Sequence, residues 1–171
     1  MSCHSPVTEW TTLIRLYFPH LSKPQATVLA LWSLGMVLAR SCALTAVATF
    51  LAVWLRRQEQ TVRQQLREFC YEAEAKRGTQ RQALAVDPCF VPLLRWVLSG
   101  WQGTQLAMAL DATTLGLRFT VLAISVVSRG CAMPVAWTIV AANQPHAGRR
   151  EWLRLLRQLR PAIPRPWTVS V

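Results

Sequence analysis

A single acid, Asp111, stands in the mostly apolar, strand-like stretch "LAMALDATTLGLRFTVLAISVVSRG" from Leu106 to Gly130. An ionised carboxylate in apolar surroundings is costly unless something compensates it. A cation can do so, and a divalent metal ion is one such cation. Arginines gather at two other places. Arg56, Arg57, Arg63 and Arg67 fall within "RRQEQTVRQQLR", and Arg149, Arg150, Arg154, Arg157 and Arg160 recur in "GRREWLRLLRQLR". The planar guanidinium fork bonds two oxygens at once, so both clusters suit phosphate contact. The plain alternative is a solvated helix face, with Glu59, Glu68 and Glu72 pairing the first cluster and Glu151 the second. His4, His20 and His146 are far apart and match no ligand spacing. The five cysteines, at 3, 42, 70, 89 and 131, form no C-x-x-C pair. Their odd number and scatter predict reduced thiols in a cytoplasmic protein, with neither a zinc site nor a disulfide frame.

The charge balance points the same way as the arginine clusters. The 171 residues hold 19 basic and 8 acidic side chains, a net charge of +11, and 17 of the basic residues are Arg. Nucleic acid is the first partner to expect, and an anionic membrane surface the second. Apolar residues make up 52% of the chain, enough for a packed core. No basic start followed by an apolar block marks residues 1–20 as a signal peptide. Ala26–Leu55 is apolar enough to suggest a membrane span. Arg40 divides its surroundings into uncharged runs of 16 and 15 residues, Pro24–Ala39 and Ser41–Leu55. Each is shorter than the roughly 20 residues a span needs. The expectation is two buried helices, with a small membrane protein as the minor alternative.

The elements that would position these groups fall into two regions. Residues 1–100 read as helical and as the DNA-binding part. Pro24 suits a helix start, and Val28, Leu31, Trp32, Gly35 and Leu38 follow at helical spacing. A second helix ends in Arg56 and Arg57, where basic residues suit the dipole. A third, on Val62, Leu66, Phe69 and Ala73, runs toward a stop at Gly78. Arg56, Arg57, Arg63 and Arg67 then flank a helix-turn-helix with "RRQEQ" as its turn. Asp87 and Pro88 open a short helix. From residue 101 to 171 the pattern is β-rich, with strands over Leu106–Thr113, Arg118–Val127 and Ala132–Ala142. An amphipathic helix carries Trp152, Leu155, Leu156 and Leu159 on one side, and a last strand begins at "PRPWTVSV". The predicted class is α+β: a helical region, then β-β-β-α-β, the opening half of an RNase H-like fold. That topology places a metal-binding acid at the end of its first strand, where Asp111 is expected.

At these residues the chain resembles a known family. "ALDATTLGLRFTVLAISVVSRGCAMPVAW" is similar to the first catalytic block of insertion-sequence transposases of the DDE class, in the IS4-like group. "LSKPQATVLALWSLGMVLARSCALTAVATFLA" resembles their helical N-terminal region, and "WLRLLRQLRPAIPRPWTV" their next block. The resemblance implies DNA transposition by metal-dependent phosphoryl transfer, with three carboxylates holding two Mg²⁺ ions. It makes Asp111 the first catalytic and metal-binding acid. Glu151 is a second metal-ligand candidate, since ribonuclease H enzymes carry a metal-binding Glu on the corresponding helix; an acid near a helix N-terminus is otherwise good dipole chemistry.

Two departures follow. Leu117 stands where relatives usually have an Asp after the turn glycine. The family's second Asp and its Glu would lie beyond Val171. The resemblance thus implies a truncated transposase, inactive alone, that binds transposon-end DNA and associates with a full-length enzyme or with itself. No small-molecule cofactor is implied, and stable Mg²⁺ binding is not expected. The alternative is a non-catalytic DNA-binding protein or repressor derived from a transposase.

Overall fold

The structure is a computed structural model that describes residues 4–77, 82–142 and 147–171. The chain divides into two compact units between Ala85 and Val86.

The first unit is helical: α1 (His4–Tyr17), α2 (Lys23–Ala39), α3 (Leu44–Leu55), α4 (Glu59–Phe69) and a 3-10 turn at Ala73–Ala75. Ser22 caps α2 by a capping box, its hydroxyl accepting from the Gln25 amide while the Gln25 side chain accepts from the Ser22 N–H. Pro24 sits in the first turn, as its spacing predicts. The core joins Leu31 of α2, Val47, Ala48, Leu51 and Ala52 of α3, and Val62 and Leu66 of α4. Gly35 makes the α2–α3 contact possible, because a Cβ there would lie 2.8 Å from Val47 Cγ1 and 3.0 Å from Leu51 Cδ1. Leu38, expected on the same face, is exposed.

No single described helix is long and apolar enough to cross a membrane; α2 and α3 pass such a test only as a pair bent by 97°. At that break Arg40 caps α2 in the left-handed conformation, φ 50. Arg56 ends α3 the same way, φ 54, its N–H directed at the carbonyls of Ala52 and Val53.

Helix α4, the third of the helices that the sequence pattern marks, is shorter than that pattern predicts. It stops at Phe69, and the stop expected at Gly78 lies outside the described residues. Helices hold mainly by burying an apolar face. Phe69 still meets Trp32 edge-on, with centroids 6.2 Å apart, but the next residue of that face is Ala73, which has little to bury.

The second unit begins earlier than residue 101. A 3-10 turn (Asp87–Cys89) and α5 (Phe90–Ser99) belong with the sheet, because Phe90 and Leu94 are fully buried in its core. The sheet contains β1 (Gln105–Leu115), β2 (Phe119–Ser128), β3 (Cys131–Ala141) and β4 (Thr168–Ser170), in the order β3-β2-β1-β4. The first three are antiparallel, and β4 lies parallel to β1. Arg129 (φ 49) and Gly130 (φ 77) form the tight β2–β3 turn, where both positions need positive φ. Between β3 and β4 runs α6 (Ala147–Leu159). Its Leu155 and Leu159 are fully buried against Leu106, Met108, Ile124 and Val126, with Trp152 and Leu156 packed beside them, as the amphipathic pattern predicts. The α+β class and the β-β-β-α-β order stand.

Gly35 supplies a test of the first unit's packing. Gly35→Val should destabilise that unit by about 1–3 kcal/mol through overpacking, because β-branched Val47 cannot easily turn away. Thermal unfolding followed by circular dichroism would read this as a lower Tm. An unchanged Tm would show that α2 and α3 are not in close contact.

Candidate functional site

Asp111 lies inside β1 rather than at its end. The strand runs four residues further, to Leu115, because the β1–β2 hairpin extends that ladder to the Leu115–Phe119 pair. Strand alternation puts Asp111 on the face opposite buried Leu106 and Met108. Level with it are Ala123 on β2 and, through Ala123, Trp137 on β3. The carboxylate is exposed, and its Oδ2 accepts a hydrogen bond of 2.8 Å from Thr113 Oγ1. Water reaches it, so the desolvation cost that would demand a counter-cation does not arise.

The parallel β1–β4 ladder covers only Gln105–Thr168, Leu106–Val169 and Ala107–Ser170. Asp111 is four positions beyond the last of these pairs, so no residue of β4 lies beside it. Leu117 is 93% exposed at the hairpin tip. Four strand residues at about 3.4 Å each put Leu115, which precedes that tip, roughly 14 Å from Asp111. The leucine is therefore remote from the carboxylate.

Glu151 is on α6 and faces Arg154, whose Nε donates to Glu151 Oε2 at 2.7 Å. Arg154 Nη1 also reaches Asp87 Oδ2 at 3.0 Å, and Gln158 Nε2 donates to the same oxygen at 3.3 Å. The hydrogen bond to Glu151, with Asp87 adding to it, pushes the Arg154 pKa above its already high value, so this guanidinium stays charged. Glu151, Arg154 and Asp87 thus form one network that ties α6 to the turn before α5. Arg150 and Arg157, from the same stripe, are exposed and join no acid among the described residues. No group of three His, Cys, Asp or Glu that could hold a metal ion occurs among the described residues.

The first arginine cluster is arranged differently. Arg56 and Arg57 stand exposed in the turn between α3 and α4, and Arg67 is exposed on α4. Arg63 is half-buried, with its Nε shielded and without a hydrogen-bond partner. Among the described residues none of these four joins an acid; Glu68 takes Arg77 instead, at 3.9 Å. Arg57 Nη1 donates to Gln65 Oε1 at 3.1 Å.

Beside this turn lies an open cleft of about 1100 Å³ between the start of α2 and α4, with Pro24, Val28 and Phe69 giving it an apolar part beside its polar one. It is lined by Gln25, Gln60, Thr61, Gln64, Gln65 and Gln82, together with Arg57, Lys76, Arg77 and Glu68. Sequence reasoning named Arg57 but missed the cleft. The signal was the density of glutamines in "QEQTVRQQ".

None of the four described cysteines forms a disulfide. Burial pushes the thiols of Cys70 and Cys89 up, with Lys76 opposing the shift at Cys70, so they are poor nucleophiles. His20 stacks edge-on with Phe18, at 6.3 Å. His146 and the His4 side chain lie outside the described residues.

Comparisons with family models, with curated proteins and with solved structures find no match for this chain.

The network at Arg154 separates stability from binding. Arg154→Ala should lower the stability of the second unit by about 0.2–1 kcal/mol, the usual worth of such part-exposed pairs. Arg150→Ala and Arg157→Ala should leave stability unchanged. Urea unfolding of the three variants checks this, and equal effects at all three would remove the distinction.

Proposed function

We propose that this chain is a transposase-type DNA-binding protein whose first unit holds duplex DNA by its phosphates. The observation that carries this reading is the set of arginines at the α3–α4 turn and along α4, which no acid among the described residues neutralises. The net charge of +11 supports it, since cationic surfaces gain affinity by releasing counterions from DNA. The resemblance of three sequence blocks to DDE transposases supports the narrower class. On that reading the second unit is the opening half of an RNase H-like domain, and Asp111 is the first carboxylate of a phosphoryl-transfer site.

The described residues do not by themselves fit a pair of Mg²⁺ ions. Two-metal sites hold ions about 3.5–4 Å apart, and the described residues bring one exposed carboxylate and one hydroxyl to this place. Mg²⁺ demands near-octahedral oxygen ligands and gives up its waters reluctantly. Glu151 is engaged with Arg154. The proposed activity of this chain is therefore DNA binding.

Arg56 permits a test that keeps folding and binding apart. Its left-handed backbone costs roughly 1–2 kcal/mol, and glycine removes that strain, offset in part by a more flexible unfolded chain. Arg56→Gly should hold or raise the Tm while weakening duplex binding. The slope of log affinity against log salt should flatten by about 0.9 if one phosphate contact is lost. Replacing Arg56, Arg57, Arg63 and Arg67 together by Ala should flatten it further. Fluorescence anisotropy across a salt series checks both. Absence of binding at low salt, or an unchanged slope in the fourfold variant, would defeat the proposal.

The same preparation should not cut duplex DNA in Mg²⁺ or Mn²⁺. Strand cleavage that disappears in Asp111→Ala would overturn this expectation and show that other acids complete the site.

A further inference from the structure

We propose that the cleft between α2 and α4 reads base identity: Gln60, Thr61 and Gln64 contact base edges in the bound DNA, with a preference for A·T pairs. This rests on the DNA-binding function proposed above and adds sequence specificity to it. A surface that only holds phosphates needs cations. Among the described residues this cleft has three, Arg57, Lys76 and Arg77, but the most frequent described residue on its lining is glutamine, which occurs there five times. An amide offers a donor and an acceptor side by side. That pattern matches the N6 donor and N7 acceptor of adenine in the major groove, which glutamine engages with two bonds.

The helix geometry places the three residues together. In α4, which starts at Glu59, Gln60 and Gln64 are four apart and Thr61 and Gln64 three apart, so they share one stripe. They lie in the first two turns, just after the arginine-bearing turn. In helix-turn-helix proteins the N-terminal residues of the second helix are those that meet base edges.

The neighbouring amides are already engaged and hold the walls. Gln25 closes the cap of α2, and its Nε2 donates to the Ala83 carbonyl at 3.2 Å. Gln65 accepts from Arg57. Gln64, one of the three proposed readers, donates one of its two Nε2 hydrogens to Glu68 Oε1 at 2.7 Å, which orients its amide and leaves its Oε1 and second N–H for a base edge. Gln60 and Thr61 are exposed. Glu68, the one acid among the described residues of the lining, is occupied by Gln64 and Arg77 and so opposes a nearby phosphate less.

The test is selection from a random-core duplex library with the full chain, run beside a Gln60→Ala/Thr61→Ala variant and a Gln60→Glu variant. Both changes fall on exposed side chains, and Tm confirms that each variant folds. The wild type should enrich a motif with A·T pairs at fixed positions. The double variant should lose about tenfold or more of the discrimination at those positions, while its salt slope on unselected duplex stays that of the wild type because no cation is removed. Gln60→Glu should move the preference at one position toward cytosine, whose N4 amine donates to a carboxylate. A wild type that binds the library but enriches no motif would overturn the inference and leave phosphate binding standing. So would a double variant that enriches the same motif. A wild type that binds no duplex would defeat the DNA-binding proposal itself, and this inference with it.

Discussion

Seventeen arginines share the chain with eight acids, and where the guanidinium groups can lie governs both units. A buried, unpaired charge is far too costly to be common. Too few acids are present to pair each arginine. Most guanidinium groups must therefore stay in water, and each basic helix must offer a second, apolar side to the core. Helices α4 and α6 meet this condition alike. Val62 and Leu66 anchor the first, and Leu155 and Leu159 the second. Arg154 is the exception that bonds two acids, Glu151 and Asp87, and it serves packing as a result.

In the first unit the cationic edge depends on a contact distant from it in sequence. Gly35 lets α2 approach α3 closely. Val62 and Leu66 of α4 then pack into one core with Leu31 of α2 and Val47, Ala48, Leu51 and Ala52 of α3. With that side committed, Arg67, Gln60 and Thr61 face outward, and Gln64 borders the cleft. The left-handed Arg56 completes the arrangement, ending α3 and carrying its charge in the turn before α4. Arg63 shows the limit of the pattern, since its Nε is shielded without a partner. Such a group costs stability, and a ligand that reached it would recover part of that cost.

In the second unit the sheet separates two tasks by strand alternation. One side of β1 buries Leu106 and Met108 against α6; the other side carries Asp111 and Thr113. Placing the acid on the face away from the helix avoids burying a carboxylate. It also leaves Asp111 paired across the ladder with the apolar Ala123, and among the described residues Thr113 is the group that hydrogen-bonds it.

Several features were legible in the residues alone. Binary pattern identified the helices, the three antiparallel strands and the buried side of α6, because amphipathic period follows directly from backbone geometry. Pro24 and the turn glycines marked starts and reversals for equally local reasons.

Tertiary packing decided the rest. Helix α4 ended at Phe69, where the next residue of its face, Ala73, had little to bury, and α5 joined the sheet because Phe90 and Leu94 fitted its core. Asp111 lay inside its strand because the β1–β2 ladder continued past it. Arg154 looked equivalent to Arg150 and Arg157 until Asp87, 67 residues away, proved to be its partner. The amide-lined cleft likewise gathers Gln25, Gln64 and Gln82 from segments that no spacing rule links. Local pattern sets which side of an element is apolar, but which distant group meets a given side chain is fixed only when those apolar sides are packed together.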